Sequence, residues 1–226
     1  MKNIMKLFAT AAILLGSLTD LSAQQVYKNR PQFPYSNRFT LGGGVSQILL
    51  GGFNVQAEYT TNRFVFDYSH GFNLHFDGNA ASLVAQRQHL AEKLKQTLGV
   101  GIGYRITPEF DIRFEPKIHF YELNYDGKAE ETKPLTTYKT VTLGAGAYYR
   151  YYPFRRQENA LAGILIMPSV RYWPNVWTSL DDDKFTYFNK VTDRAETYKA
   201  APQGFTATKG LFANVTLAYT FGFNRK

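Results

Sequence analysis

The sequence predicts an all-β fold: an antiparallel transmembrane β-barrel of about eight strands, with a short helix in one long loop. Three observations predict it. The N-terminus carries an export signal, segments of about ten residues alternate apolar with polar positions, and the connections alternate short with long.

The export signal comes first. A basic stretch with Lys2 and Lys6, an apolar stretch from Leu7 to Leu18, and Leu21-Ser22-Ala23 before Gln24-Gln25 place cleavage after Ala23. The apolar run is shorter than the roughly 20 residues of a spanning helix, and Thr19 and Asp20 follow it at once. Residues 1–23 are therefore expected to be a signal peptide, 24–36 an N-terminal periplasmic segment and 37–226 the barrel. No Pro/Ser-rich linker, charge block or internal repeat divides the remainder. With no cysteine there is no disulfide, and closed barrels are held instead by a complete backbone hydrogen-bond ladder.

The net charge of +8 falls to +7 without Lys2, Lys6 and Asp20. The charges are dispersed and do not cluster with stacking aromatics, so no nucleic acid is expected and anionic lipid is the better counterpart. The chain has 18 Phe and 16 Tyr against 2 Trp, with a mean hydropathy of −0.31. That combination suits a lipid-facing aromatic band better than a single soluble core.

Alternation is clearest at 110–120, where Phe110, Ile112, Phe114, Ile118 and Phe120 share one face and Asp111, Arg113, Glu115, Lys117 and His119 the other. The strand at 211–223 repeats it with Leu211, Ala213, Val215, Leu217, Tyr219, Phe221 and Phe223. In two segments, Leu98–Ile106 and Val141–Tyr151, apolar residues interleave with glycines that suit the inside of a narrow barrel. Further strands are expected at 38–48, 52–60, 63–76 (Phe64, Phe66, Tyr68, Phe72, Leu74 and Phe76 outward) and 161–173. Short turns at 60–63, 107–109 and 153–159 alternate with long loops at 77–95, 126–137 and 174–209; only the first outer loop, near Leu50-Gly51-Gly52, is short.

On the signal, the eight-segment layout and the aromatic strand Leu217-Ala218-Tyr219-Thr220-Phe221-Gly222-Phe223, the chain resembles the small eight-stranded outer-membrane barrels of the OmpA/OmpX type. The resemblance implies residence in the cell outer membrane, contact with its lipids and recognition by the barrel-assembly machinery. It implies no specific activity.

Projecting the strands inward gathers Glu58, Asp67, Asp111 and Glu115 with Arg105, Arg113, Lys117, Arg150 and Arg171. A salt-bridge network plugging the barrel is the expected arrangement, with a charged conducting path as the alternative. No catalytic, metal or cofactor site is expected. Ser69 and His70 are adjacent and so face opposite ways, His75 and Asp77 read as a structural pair, and Asp181-Asp182-Asp183 lacks the spacing and glycine of a calcium loop.

In loop 77–95, Ala80, Leu83, Val84, Leu90 and Leu94 recur at helical spacing, with Asp77 or Asn79 as the expected cap. The loop at 174–209 is long and aromatic; Trp173, Trp177 and Tyr187 are its candidate recognition residues. The expected function is a non-enzymatic outer-membrane barrel whose loops serve surface recognition, adhesion or assembly with a protein partner in an envelope or secretion complex. A narrow channel, a lipid-modifying enzyme and a soluble barrel with its apolar faces inward are the competing expectations.

Overall fold

The computed structural model describes residues 37–126, 133–157, 159–200 and 210–221. The expected signal peptide, the segment 24–36 and the terminal residues 222–226, Phe223 among them, lie outside these. In chain order the elements are β1 (Asn37–Gly44), α1 (Val45–Leu49), β2 (Phe53–Thr61), β3 (Phe64–Phe76), α2 (Leu83–Arg87), β4 (Leu90–Arg105), β5 (Phe110–Tyr125), β6 (Thr136–Tyr149), β7 (Ile164–Tyr172), β8 (Asn175–Thr178), β9 (Lys184–Asn189), β10 (Arg194–Lys199) and β11 (Leu211–Phe221).

Strands β1 to β7 pair antiparallel in sequence order, and β11 pairs with both β7 and β1. The result is an eight-strand ring of hydrogen bonds in an all-β antiparallel sheet. The closing pair runs from Phe39 opposite Phe221 to Gly44 opposite Thr216. A Cβ on Gly42 would overlap Ala218, so small residues on both sides let this seam close. The ring is uneven: β4 and β5 have 16 residues each, β1 has 8 and β2 and β7 have 9.

The apolar positions point out of the ring. Phe64, Phe66, Tyr68, Val100, Ile102, Tyr104, Ile112, Phe114, Val170, Tyr172 and Leu217 are all exposed, with Val100 at 56%. Charged and small residues point inward. Glycine makes the room: Gly99 and Gly101 on β4 face Lys117 and Asp67, while Gly144 and Gly146 on β6 face Trp173 and Tyr148. A Cβ at Gly144 would overlap the Trp173 ring. Gly144→Ala is accordingly expected to displace that indole at a cost of about 1–3 kcal/mol. In a Trp177→Phe background, Trp173 emission should move to longer wavelength; an unchanged spectrum would refute the packing.

Four expectations change. Residues 45–48 form α1 rather than the end of β1, with the Ser46 hydroxyl donating to Asn214 Oδ1 at 2.6 Å. The helix of loop 77–95 is only Leu83–Arg87, capped by Ser82 instead of Asp77 or Asn79. Leu90 and Leu94 belong to β4, where a register irregularity between Leu94 and Gln96 reverses which positions face in. On β3, Asn73 takes φ 50° and has the same effect, so Leu74 and Phe76 turn inward and are buried.

Beyond that reversal the inner face becomes apolar. Leu74, Phe76, Leu90, Leu94, Tyr121, Leu123 and Tyr138 form a core with Ala81, with Ala85 of α2 and with Tyr198 from the β9–β10 hairpin. The last long loop thus supplies a packed cap over the long strands; β8 pairs with β6, and β9 and β10 form their own two-stranded sheet.

Candidate functional site

The densest polar constellation lies inside the ring. It begins at β5, where alternate residues Asp111, Arg113, Glu115 and Lys117 point inward because the intervening ones occupy the apolar outer face. Arg113 contacts Glu58 Oε1 on β2 at 2.7 Å, Asp67 Oδ2 on β3 at 3.2 Å and Asp111 Oδ1 at 2.6 Å. Arg150 follows β6 and contacts Glu58 Oε2 at 2.9 Å as well as Asp111 Oδ2. The two guanidinium groups therefore brace β2 and β3 against β5 and β6 across the interior. All five side chains are within 3% of full burial.

A second layer adjoins it. The Arg113 guanidinium carbon lies 3.8 Å from the centre of the Tyr148 ring, and that of Arg171 lies 4.8 Å from it. The Tyr148 hydroxyl donates to Glu115 Oε1 at 2.6 Å. Lys117 Nζ donates to Ser69 Oγ at 2.9 Å, stands 3.7 Å from Glu115 and lies 4.2 Å from the Trp173 ring centre. His119 bridges Thr97 and Thr142 at 2.9 Å each. Each charge in these two layers faces an opposite charge or an aromatic face, which offsets much of the cost of removing it from water.

Of the nine residues projected inward from sequence, eight share this region. Arg105 is the ninth. It sits at the turn end and donates to Asn62 O and Pro108 O, both at 2.8 Å. Without it, Glu58, Asp67, Asp111 and Glu115 stand against Arg113, Lys117, Arg150 and Arg171, so the layers balance four to four. Tyr148 and Gln56, which donates to Glu58 at 2.8 Å, are members that sequence reasoning did not single out, and Ser69 was weighed there only as a nucleophile. Their inward register was the available signal.

The loop candidates separate. Trp173 is 4% exposed and lies inside against Lys117, because Gly144 opposite leaves space for the indole; its place is the interior and not the outer loop surface. Trp177 on β8 is exposed. Tyr187 on β9 is half-buried against the cap core, where its ring stacks on Phe185. His75 and Asp77 share no hydrogen bond among the described residues, and His75 N donates to Leu50 O at 2.9 Å. Ser69 points in and His70 out, the His70 ring stacking 3.9 Å from Phe72. Among the described residues no group of three or more His, Cys, Asp or Glu could hold a metal.

The cap has its own polar knot. Glu92 is buried and accepts from Ser82 N at 3.1 Å, Ser82 Oγ at 2.6 Å and Tyr198 Oη at 2.6 Å, and Tyr198 also bonds Tyr138 at 2.8 Å. One carboxyl thus ties α2, β4 and the hairpin together. Burial pushes the Glu92 carboxyl above its ordinary range, against the pull of these hydrogen bonds. A raised folded-state value means that the folded cap holds the proton more tightly than the unfolded chain does. Its stabilising contribution is full below pH 4.5 and is lost as pH rises through the folded value. Limited proteolysis of the hairpin should therefore accelerate as pH rises through that folded value, and Glu92→Gln should flatten that dependence. An unchanged slope would remove Glu92 from the effect.

The fold and the interior define the chain as an all-β antiparallel protein built on an eight-strand hydrogen-bonded ring around a buried ion-pair network. A scan against protein-family models finds no match, and neither does a search of curated proteins.

Proposed function

We propose that the chain is an outer-membrane β-barrel of the small eight-stranded kind, a closed and non-enzymatic scaffold whose capped loops serve surface recognition, adhesion or assembly of an envelope or secretion complex. The observation that carries this reading is the inverted polarity of the ring. Aromatic and aliphatic residues stand exposed on its outer face while the charges are buried inside. Water-soluble proteins rarely leave so large an apolar surface bare, whereas lipid is its natural solvent.

The same polarity disfavours the soluble barrel with apolar faces inward. The bracing of Arg113 and Arg150 and the packed cap favour a plugged scaffold over a conducting path. Trp177 on β8, with Phe188 and Val191 on the β9–β10 hairpin, gives the loops exposed apolar contact residues. Fractionation of cells expressing the full chain tests the reading. The protein should sediment with outer membranes and migrate differently in detergent gels before and after boiling. Recovery in the soluble periplasmic fraction would overturn it.

A further inference from the structure

The two ends of the ring differ in their basic chemistry. At the end formed by the short turns, the described charged residues outside the interior layers are Arg38, Arg63, Arg105, Glu109, Arg155 and Arg156: five arginines, one carboxylate and no lysine. At the loop end, residues 77–97, 120–139 and 173–200 hold nine basic and nine acidic described residues, and seven of those basic residues are lysines. Among the described residues, one end is therefore basic with arginine as its only cation, and the other is balanced and mostly lysine.

This distinction has chemical content. A guanidinium presents a planar fork of donors that matches phosphate oxygens two at a time, whereas an ammonium acts as a hydrated point charge. Arg63, Arg155 and Arg156 are exposed. Arg63 is also aimed: its Nη1 donates to Tyr104 Oη at 3.0 Å, and its guanidinium carbon lies 5.8 Å from the Tyr104 ring centre. Tyr104 is exposed at the turn-end margin of the outer apolar face, so this guanidinium sits where that face ends.

The mount is rigid. Arg105 N donates to Arg63 O and Arg150 N donates to Glu109 O, both at 2.7 Å, which stitches the three turns side by side. Arg105 adds its bonds to Asn62 O and Pro108 O. Arg155 stands 4.0 Å from Glu109.

We propose that the turn end is a phosphate-binding rim for anionic phospholipid head groups, with Arg63, Arg155 and Arg156 making the contacts and Tyr104 positioning Arg63. This rests on the membrane reading above. Charge complementarity and continuity with the outer apolar face identify lipid as the partner.

Native mass spectrometry of the full chain, released from detergent micelles doped with phosphatidylglycerol and phosphatidylcholine, tests it. The wild type should retain phosphatidylglycerol preferentially. A basic residue near an anionic surface contributes about 1 kcal/mol, so neutralising Arg63, Arg155 and Arg156 to glutamine should reduce the preference on the order of 100-fold at low salt. The matching lysine substitutions keep the charge and should lose part of it through the missing fork. Neutralising Lys93, Lys95 and Lys139 at the loop end should leave it intact.

Boiled and unboiled gel mobility verifies that each variant is folded. Equal retention of both lipids by folded wild type would overturn the rim while leaving the membrane reading standing; failure to enter micelles would remove the membrane reading itself. Full displacement of the lipid by an equal concentration of inorganic phosphate would show a free-anion site and overturn the lipid assignment. An equal loss in the loop-end variant would overturn the placement.

Discussion

Arg113→Leu is expected to destabilise the protein by about 3–5 kcal/mol, because it leaves buried carboxylates without their cation. Glu58, Asp67 and Asp111 all contact this one guanidinium, from three different strands. Arg150 still reaches Glu58 and Asp111, but no ion pair to Asp67 other than that of Arg113 occurs among the described residues. Adding Asp67→Asn should therefore restore part of the loss, since the orphaned charge is removed along with its partner. Urea unfolding in detergent, followed by the disappearance of the unboiled gel form, measures both variants. A loss for Arg113→Leu below about 1 kcal/mol would mean that the interior is wet enough to tolerate the unpaired acids.

The second large effect belongs to the outer face. Ile102 lies on β4 between Val100 and Tyr104, pointing out of the ring and 49% exposed. On a water-facing strand, Ile102→Arg would change stability by about 0.5 kcal/mol or less. At the middle of a lipid-facing band it should cost about 2–4 kcal/mol. Thr186→Arg, on the exposed face of the hairpin, should stay within about 0.5 kcal/mol and serves as the control. Equal and small effects at both positions would contradict the outward lipid face.

Much of the architecture was legible because the two sides of each ring strand differ in chemistry. At 110–120 every second residue is ionisable, so strand and facing could be read together. Legibility ended where alternation changes phase. Asn73 and the irregularity between Leu94 and Gln96 each reverse the facing, and a pattern of Leu90 and Leu94 on the same side then imitates a helix. Leu74 and Phe76, read as outward, became part of the cap core for the same reason.

The interior was readable as a set of residue types but not as a set of pairs. Which carboxylate meets Arg113 depends on ring closure and on side-chain reach across strands distant in sequence, which local periodicity does not encode. Trp173 illustrates this: it ends the strand expected at 161–173 and was grouped with the recognition residues of the following loop, whereas Gly144 on β6 provides its interior site. Arg105 lies on the inward register, and its height at the turn end brings the carbonyls of Asn62 and Pro108 within reach.

The central claim is that the outer face meets lipid and the cap meets water. The chain has no cysteine, so single cysteines can be placed freely and spin-labelled. Labels at Val100, Ile102, Val170 and Leu217 in the vesicle-reconstituted protein should be reached by oxygen and shielded from a water-soluble nickel chelate, while a label at Thr186 should show the reverse. Access of the chelate to all four ring positions would contradict the account.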